Sequence, residues 1–362
     1  MSEKELSKQT KRDCFNVKDS GLNFVLSLII PFLASFALAI LMLLFKLNDT
    51  AFEKIVNLIF TPTTFFLIYF IYCKKTNINV FAASEIRFKV NWLKCLTVVV
   101  MGVTAVLLIS PFISLVDYLL TFIGYNPKNE LPYVMNNGLK FAIGIIAMAV
   151  LPAICEELLF RGLIFKGIQS KFGAHASIII TAAMFTLLHG SLQQTVYQFI
   201  LGILLGYTMH YGRSIVYPIL LHFVNNFVVV LSSFIYTLNG IDVNAPPIFV
   251  NVWDYVLPVM LFVLAGCLIV GLIYVLQYVD RMETTKEIRI AVEEVSEQIS
   301  VEVSTEKVSK KSKKLESAEQ NNSIIISEDK KLTKEEKLYL FGSIGLSIFF
   351  WITNTVMQFF GL

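Results

Sequence analysis

Two adjacent carboxylates, Glu156 and Glu157, lie inside an otherwise apolar run, and all four histidines of the chain, His175, His189, His210 and His222, follow within the next 66 residues. Ionisable side chains cost about 2.5–3.5 kcal/mol each at the centre of a membrane helix, so they persist there with a partner or a task. Arg161 is four residues after Glu157, the spacing that places two side chains on one helical face. Glu157 and Arg161 are therefore the expected ion pair. Glu156 is turned about 100° away by the helical period and is left free to handle a proton.

His189 ends the run Phe185-Thr186-Leu187-Leu188-His189, and the turn signal Lys171-Phe172-Gly173 stands almost midway between it and Glu156. A helical hairpin pivoting there brings the two to one depth on adjacent helices. His222 and Asn226 form a second i,i+4 pair; His222 lies nine residues after Arg213, a helical rise of about 13 Å. A carboxylate, two imidazoles and an amide submerged together bring a proton acceptor and hydrogen-bond donors into the bilayer. By side-chain chemistry Glu156 can take a proton from water and His189 can share it, while His222 and Asn226 can donate hydrogen bonds to an oxygen that becomes negative. The same Glu156, His189 and His222 could instead ligate zinc with an open water position. Asn226 is a poor zinc ligand, and the His-Glu-x-x-His pattern of common zinc peptidases is absent, which favours the metal-free chemistry. His175 and His210 sit beside turn residues and are expected at the membrane interface. Asn225 is expected to serve as a helix-contact amide.

The elements carrying these residues must be membrane helices. Of the 362 residues 56% are hydrophobic, and the 58 residues 280–337 alone hold 12 of the 30 Lys and Arg and 14 of the 27 acids. The fold class is all-α, a polytopic helical membrane protein of about 8–9 transmembrane helices. The spans are expected near 23–45, 55–73, 95–120, 139–165, 174–192, 195–211, 214–237, 255–278 and 339–360, the fifth and sixth being the shortest. In domain order the chain reads as a cytosolic segment 1–22, N-terminal transmembrane helices 23–138, a catalytic membrane core 139–237, a loop and helix 238–279, a charged, disordered cytosolic linker 280–337, and a last helix 338–362. Lys4, Lys8, Lys11, Arg12 and Lys18 precede the first span, whereas 238–254 holds no Lys or Arg, which puts the N-terminus in the cytosol. The linker includes the basic run 310–314. Cys14, Cys73, Cys95, Cys155 and Cys267 form no Cys-x-x-Cys pair.

Glu-Glu-x-x-x-Arg at 156–161, Phe-x-x-x-His at 185–189 and His-x-x-x-Asn at 222–226, in this order on successive helices, resemble the CPBP family of intramembrane proteases. That family comprises type II CAAX prenyl endopeptidases and bacteriocin-processing or immunity proteins, also called Abi proteins. The likeness covers roughly 140–230 and includes Gly202-x-x-x-Gly206, a spacing that also suits close helix packing. The resemblance implies an intramembrane endopeptidase with Glu156, Glu157, Arg161, His189, His222 and Asn226 as its site, and as partners the bilayer and a peptide or lipidated protein, without nucleic acid. It also implies a bacterial plasma membrane, with the site opening toward the cytosol. A peptide-binding immunity or scaffold protein is the alternative. A transporter is a weaker one, because no second Glu/His set repeats elsewhere in the chain.

Overall fold

A computed structural model describes residues 12–45, 50–125, 134–241, 249–303 and 331–360. Residues 1–11 of the expected cytosolic segment and the basic run 310–314 lie outside the described residues. Nine long helical segments occur among the described residues, one on each expected span: α1 (Val17–Leu44), α2 (Thr50–Lys75), α3 (Trp92–Thr121), α4 (Gly138–Phe172), α5 (Ala174–Leu188), α6 (Leu192–Gly212), α7 (Val216–Leu238), α8 (Val252–Val303) and α9 (Lys334–Phe360). The chain is an all-α polytopic membrane protein. Seven of the nine are long and apolar enough to cross a bilayer; α5 and α6, expected to be the shortest, are not among the seven.

Central α4 packs against α1, α2, α5 and α7, while α3 is held between α7 and α8, and α9 lies along α1. Two prolines shape the helices that matter most. Pro111 and Pro152 offer no N–H to the turn before them, and wide i→i+5 turns occupy Ala105–Ile109 and Ile145–Val150. A third wide turn, Leu158–Phe165, follows directly after the two glutamates. Glu156 and Glu157 thus end a seven-residue α-helical stretch, Leu151–Glu157, set between two loosened segments.

The hairpin of α5 and α6 turns at Gly190, whose φ of +58° an L side chain rarely adopts. Its two helices approach so closely that a Cβ on Gly202 would stand 2.9 Å from the Ala182 backbone, and one on Gly206 2.9 Å from Ile178. The small-residue spacing expected from the sequence therefore does pack helices. At the hairpin tip Asn354 of α9 donates to the Gly190 carbonyl at 3.0 Å, and the Trp351 indole donates to Thr195 at 3.2 Å.

One expectation needs correction. The charged linker expected over 280–337 is helical from 280 to Val303, because α8 runs on past its apolar part. Glu, Lys and Arg are good helix formers, and the core grips the start of this extension. Lys94, 1% exposed, pairs with Glu283 at 2.6 Å and Asp280 at 3.5 Å, and Arg213 holds Asp280 at 2.7 Å. Asn91 adds a hydrogen bond to Glu283 at 2.8 Å.

Candidate active site

Arg161 and Glu157 are both fully buried, and Arg161 Nη1 donates to Glu157 Oε1 at 2.9 Å. Arg161 Nη2 donates to the Gly202 carbonyl at 3.1 Å, and the guanidinium carbon lies 4.8 Å from the centre of the Phe185 ring. One side chain of α4 thereby fixes the α5–α6 hairpin at a backbone acceptor and at an aromatic face. From α7, His222 Nδ1 meets the same Glu157 oxygen at 2.9 Å. Glu157 is therefore shared by a guanidinium and an imidazole, and the sequence expected only the first of these.

Glu156, on the adjacent position, is only partly buried, and its Oε2 is enclosed without a hydrogen-bond partner. It lies within electrostatic reach of His222, Glu157 and Arg161. His189 caps the C-terminus of α5, and its Nδ1 contacts the Phe185 carbonyl at 2.8 Å. A carbonyl can only accept, so Nδ1 carries the hydrogen and Nε2 is left as the nitrogen that can take a proton. The Phe185 ring stands 4.6 Å from the His189 ring and 6.0 Å from that of His222, and forms a common wall for both.

Asn226 Nδ2 donates to the Met148 carbonyl at 3.1 Å. Met148 is four residues before Pro152, which has no N–H to give it, so the amide of α7 supplies a donor that helix α4 withholds. Asn225, expected to make only a helix contact, donates to Asn226 Oδ1 at 3.0 Å and accepts from the Tyr197 hydroxyl of α6. This chain fixes which way the Asn226 amide is flipped. Sequence reasoning missed Tyr197, Asn225 and the Met148 carbonyl in these roles; Pro152, four residues downstream of Met148, was the one signal that could have flagged the freed carbonyl.

The six residues thus divide. Glu157 touches both Arg161 and His222 directly, while Glu156, His189 and Asn226 are partly exposed around them and make no direct hydrogen bonds with one another. Among the described residues no three His, Cys, Asp or Glu side chains converge as a metal-ligand set, so Glu156, His189 and His222 are not gathered as the zinc alternative requires. His175 and His210 stand apart from this site, with their rings 6.1 Å from each other.

Compared with known families, residues 138–228 match the family model described as type II CAAX prenyl endopeptidase, Rce1-like. Residues 138–228 form an Rce1-like domain. The Rce1-like domain begins with α4, ends within α7 and holds all six residues above, in agreement with the CPBP resemblance of the motifs. The match supports, in general terms, a membrane peptidase of the CAAX type. Helices α1–α3, α8 and α9 lie outside the Rce1-like domain. No curated protein and no solved structure matches the chain.

Proposed function

We propose that the protein is an intramembrane endopeptidase that hydrolyses a peptide bond of a membrane-associated or lipidated peptide or protein, with Glu156 as the base. The observation that carries this reading is the unequal fate of two neighbouring carboxylates. Glu157 is committed through Oε1 to both Arg161 and His222 and leaves only Oε2 unpaired, whereas Glu156, one residue away and in the same electrostatic cluster, has no ion-pair or hydrogen-bond partner among the described residues and an enclosed Oε2.

In this mechanism a water between Glu156 and His189 gives a proton to the carboxylate as its oxygen attacks the scissile carbonyl. His189, holding its hydrogen on Nδ1, accepts through Nε2 and keeps the water oriented. The carbonyl oxygen becomes negative and is met by the second hydrogen of Asn226 Nδ2 and by His222 Nε2. A His222 that donates from both nitrogens is an imidazolium, and Glu157 balances its charge. With Glu156 ionised, the charges of Glu156, Glu157, Arg161 and His222 sum to zero, which suits a site within the bilayer. Collapse of the intermediate breaks the C–N bond, and the proton held by Glu156 passes to the leaving amine. Loss of one oxyanion donor costs about 3 kcal/mol of transition-state stabilisation. The Lys and Arg distribution supports a cytosolic N-terminus, and the family resemblance supports a site opening to the cytosol of a bacterial plasma membrane.

The test is peptide cleavage by full-length protein in proteoliposomes, assayed against the peptides released from native membranes. Glu156→Gln, His189→Ala and His222→Ala are each expected to lose cleavage while remaining inserted and folded, and Glu156→Gln is expected to retain bound peptide. Near-normal turnover in two of these variants overturns the site, and peptide binding that is equally functional with Gln at 156 points to a non-catalytic binder.

A further inference from the structure

A groove of about 580 Å³ runs between α6 and α8, on a face that the catalytic cluster does not use. Ile109, Ile200, Phe262 and Ile269 line one part of it, and His175, Tyr207, Tyr211, Tyr274 and Gln277 line another. The order along the helices is regular. On α8 the apolar Phe262 and Ile269 come first and Tyr274 and Gln277 later, and on α6, which runs in the same direction with Arg213 at its end held by Asp280, Ile200 precedes Tyr207 and Tyr211, so the polar groups share one end. From Phe262 to Gln277 the helix rises about 22 Å, more than the roughly 15 Å of one hydrocarbon leaflet.

One turn beyond Gln277, on the same face, stands Arg281, exposed and within electrostatic reach of Tyr211. The nearest acid on its own helix, Asp280, is already held by Arg213 and Lys94. The other cation near this end, Lys166, is paired with Glu85 at 2.7 Å. His175 is joined to the Tyr207 hydroxyl at 3.3 Å. In order of depth there are therefore a cation just beyond the lining, with no ion-pair partner among the described residues, a layer of hydroxyl, imidazole and amide groups, and an apolar slot.

That sequence of chemistries is the profile of an anionic phospholipid: phosphate, ester oxygens, acyl chain. We propose that the α6–α8 groove is a binding site for one acyl chain of an anionic phospholipid, with the headgroup phosphate at Arg281. The slot is too narrow for a helix from a second copy. Even the full space between its walls, about 1260 Å³ over its length, leaves a width of about 7.5 Å, against the 10–12 Å diameter of a helix with side chains. Gly266 lies in the groove wall, where an added Cβ meets nothing within 4 Å. A Cβ can therefore be added at this point of the groove without a clash.

The proposal is independent of peptidase chemistry, and so is its test. Full-length protein is reconstituted in phosphatidylcholine vesicles containing phosphatidylglycerol with a photoreactive diazirine on one acyl chain, and labelled peptides are mapped by mass spectrometry. Label is expected on α8 around Ile269 and on α6 around Ile200, and competition is expected to favour phosphatidylglycerol over phosphatidylcholine. Gly266→Phe should remove this labelling while labelling of other helices persists. Arg281→Gln should lower the preference for phosphatidylglycerol about fivefold and leave labelling by a phosphatidylcholine probe intact. Val270→Trp, at a bilayer-exposed position of the same groove (52% exposed), serves if Gly266→Phe fails to insert. Even labelling of all lipid-facing helices, unchanged labelling of the filled groove, or chain-to-chain cross-links replacing lipid at these residues each overturns the proposal.

Discussion

Arg161→Met and Glu157→Gln should each be strongly destabilising, and the two together much less so than their sum. Both side chains are fully buried and joined at 2.9 Å. Losing one partner of such a pair strands the other charge, at a cost of about 3–5 kcal/mol. Arg161→Met also strips the Gly202 carbonyl of its donor, a loss of about 1–3 kcal/mol, and removes the cation from the Phe185 face, worth about 2 kcal/mol when desolvated. In the double variant no unpaired charge is left on this pair, so the Gly202 and Phe185 contributions and the carboxylate facing His222 are what remain lost. The coupling should lie near the upper end of the usual range, about 3 kcal/mol. The assay is unfolding in micelles for the four members of the cycle, with Glu156→Gln and Arg161→Met as a control cycle. Coupling below about 0.5 kcal/mol would refute the pairing argument. A larger coupling in the control cycle would make Glu156 the structural acid and Glu157 the candidate base.

Tyr197→Phe removes the hydroxyl that orients Asn225, and through it Asn226. It should cost about 1 kcal/mol of stability and lower kcat of cleavage with KM nearly unchanged, as steady-state kinetics will show. Gly202→Ala places a Cβ 2.9 Å from Ala182 and should destabilise the hairpin by about 1–3 kcal/mol in the same unfolding assay, with loss of activity. Pro152→Ala returns an N–H to α4 that competes with Asn226 for the Met148 carbonyl. Stability should hold or rise while the cleavage rate falls, and an unchanged rate would dissociate that carbonyl from function.

What was legible in the sequence followed short-range periodicity. The Glu157–Arg161 contact and the hairpin turn at Gly173 need only the helical repeat, and every expected span lands on a helix because bilayer thickness imposes a countable length of apolar residues. What escaped depends on how helices approach one another. Nothing in the spacing of His222 and Asn226 says that His222 reaches Glu157, 65 positions away, or that Asn226 is wired to Tyr197 through Asn225. The extension of α8 escaped for a different reason. Its composition alone reads as solvated chain, while Lys94, Arg213 and Asn91, which hold it in place, come from distant positions.

The attachment of α9 has a consequence for how the chain can be divided. This helix lies along α1 and grips the Gly190 turn through Asn354, yet it is joined to α8 only through the polar, charged stretch after Val303. Its place is set by lateral contacts within the bilayer, and covalent continuity contributes nothing to them. A gene split in that stretch, with both fragments made in one cell, should therefore reassemble a working protein, and a protease that nicks the stretch in the intact molecule would sever a tether while leaving the architecture standing.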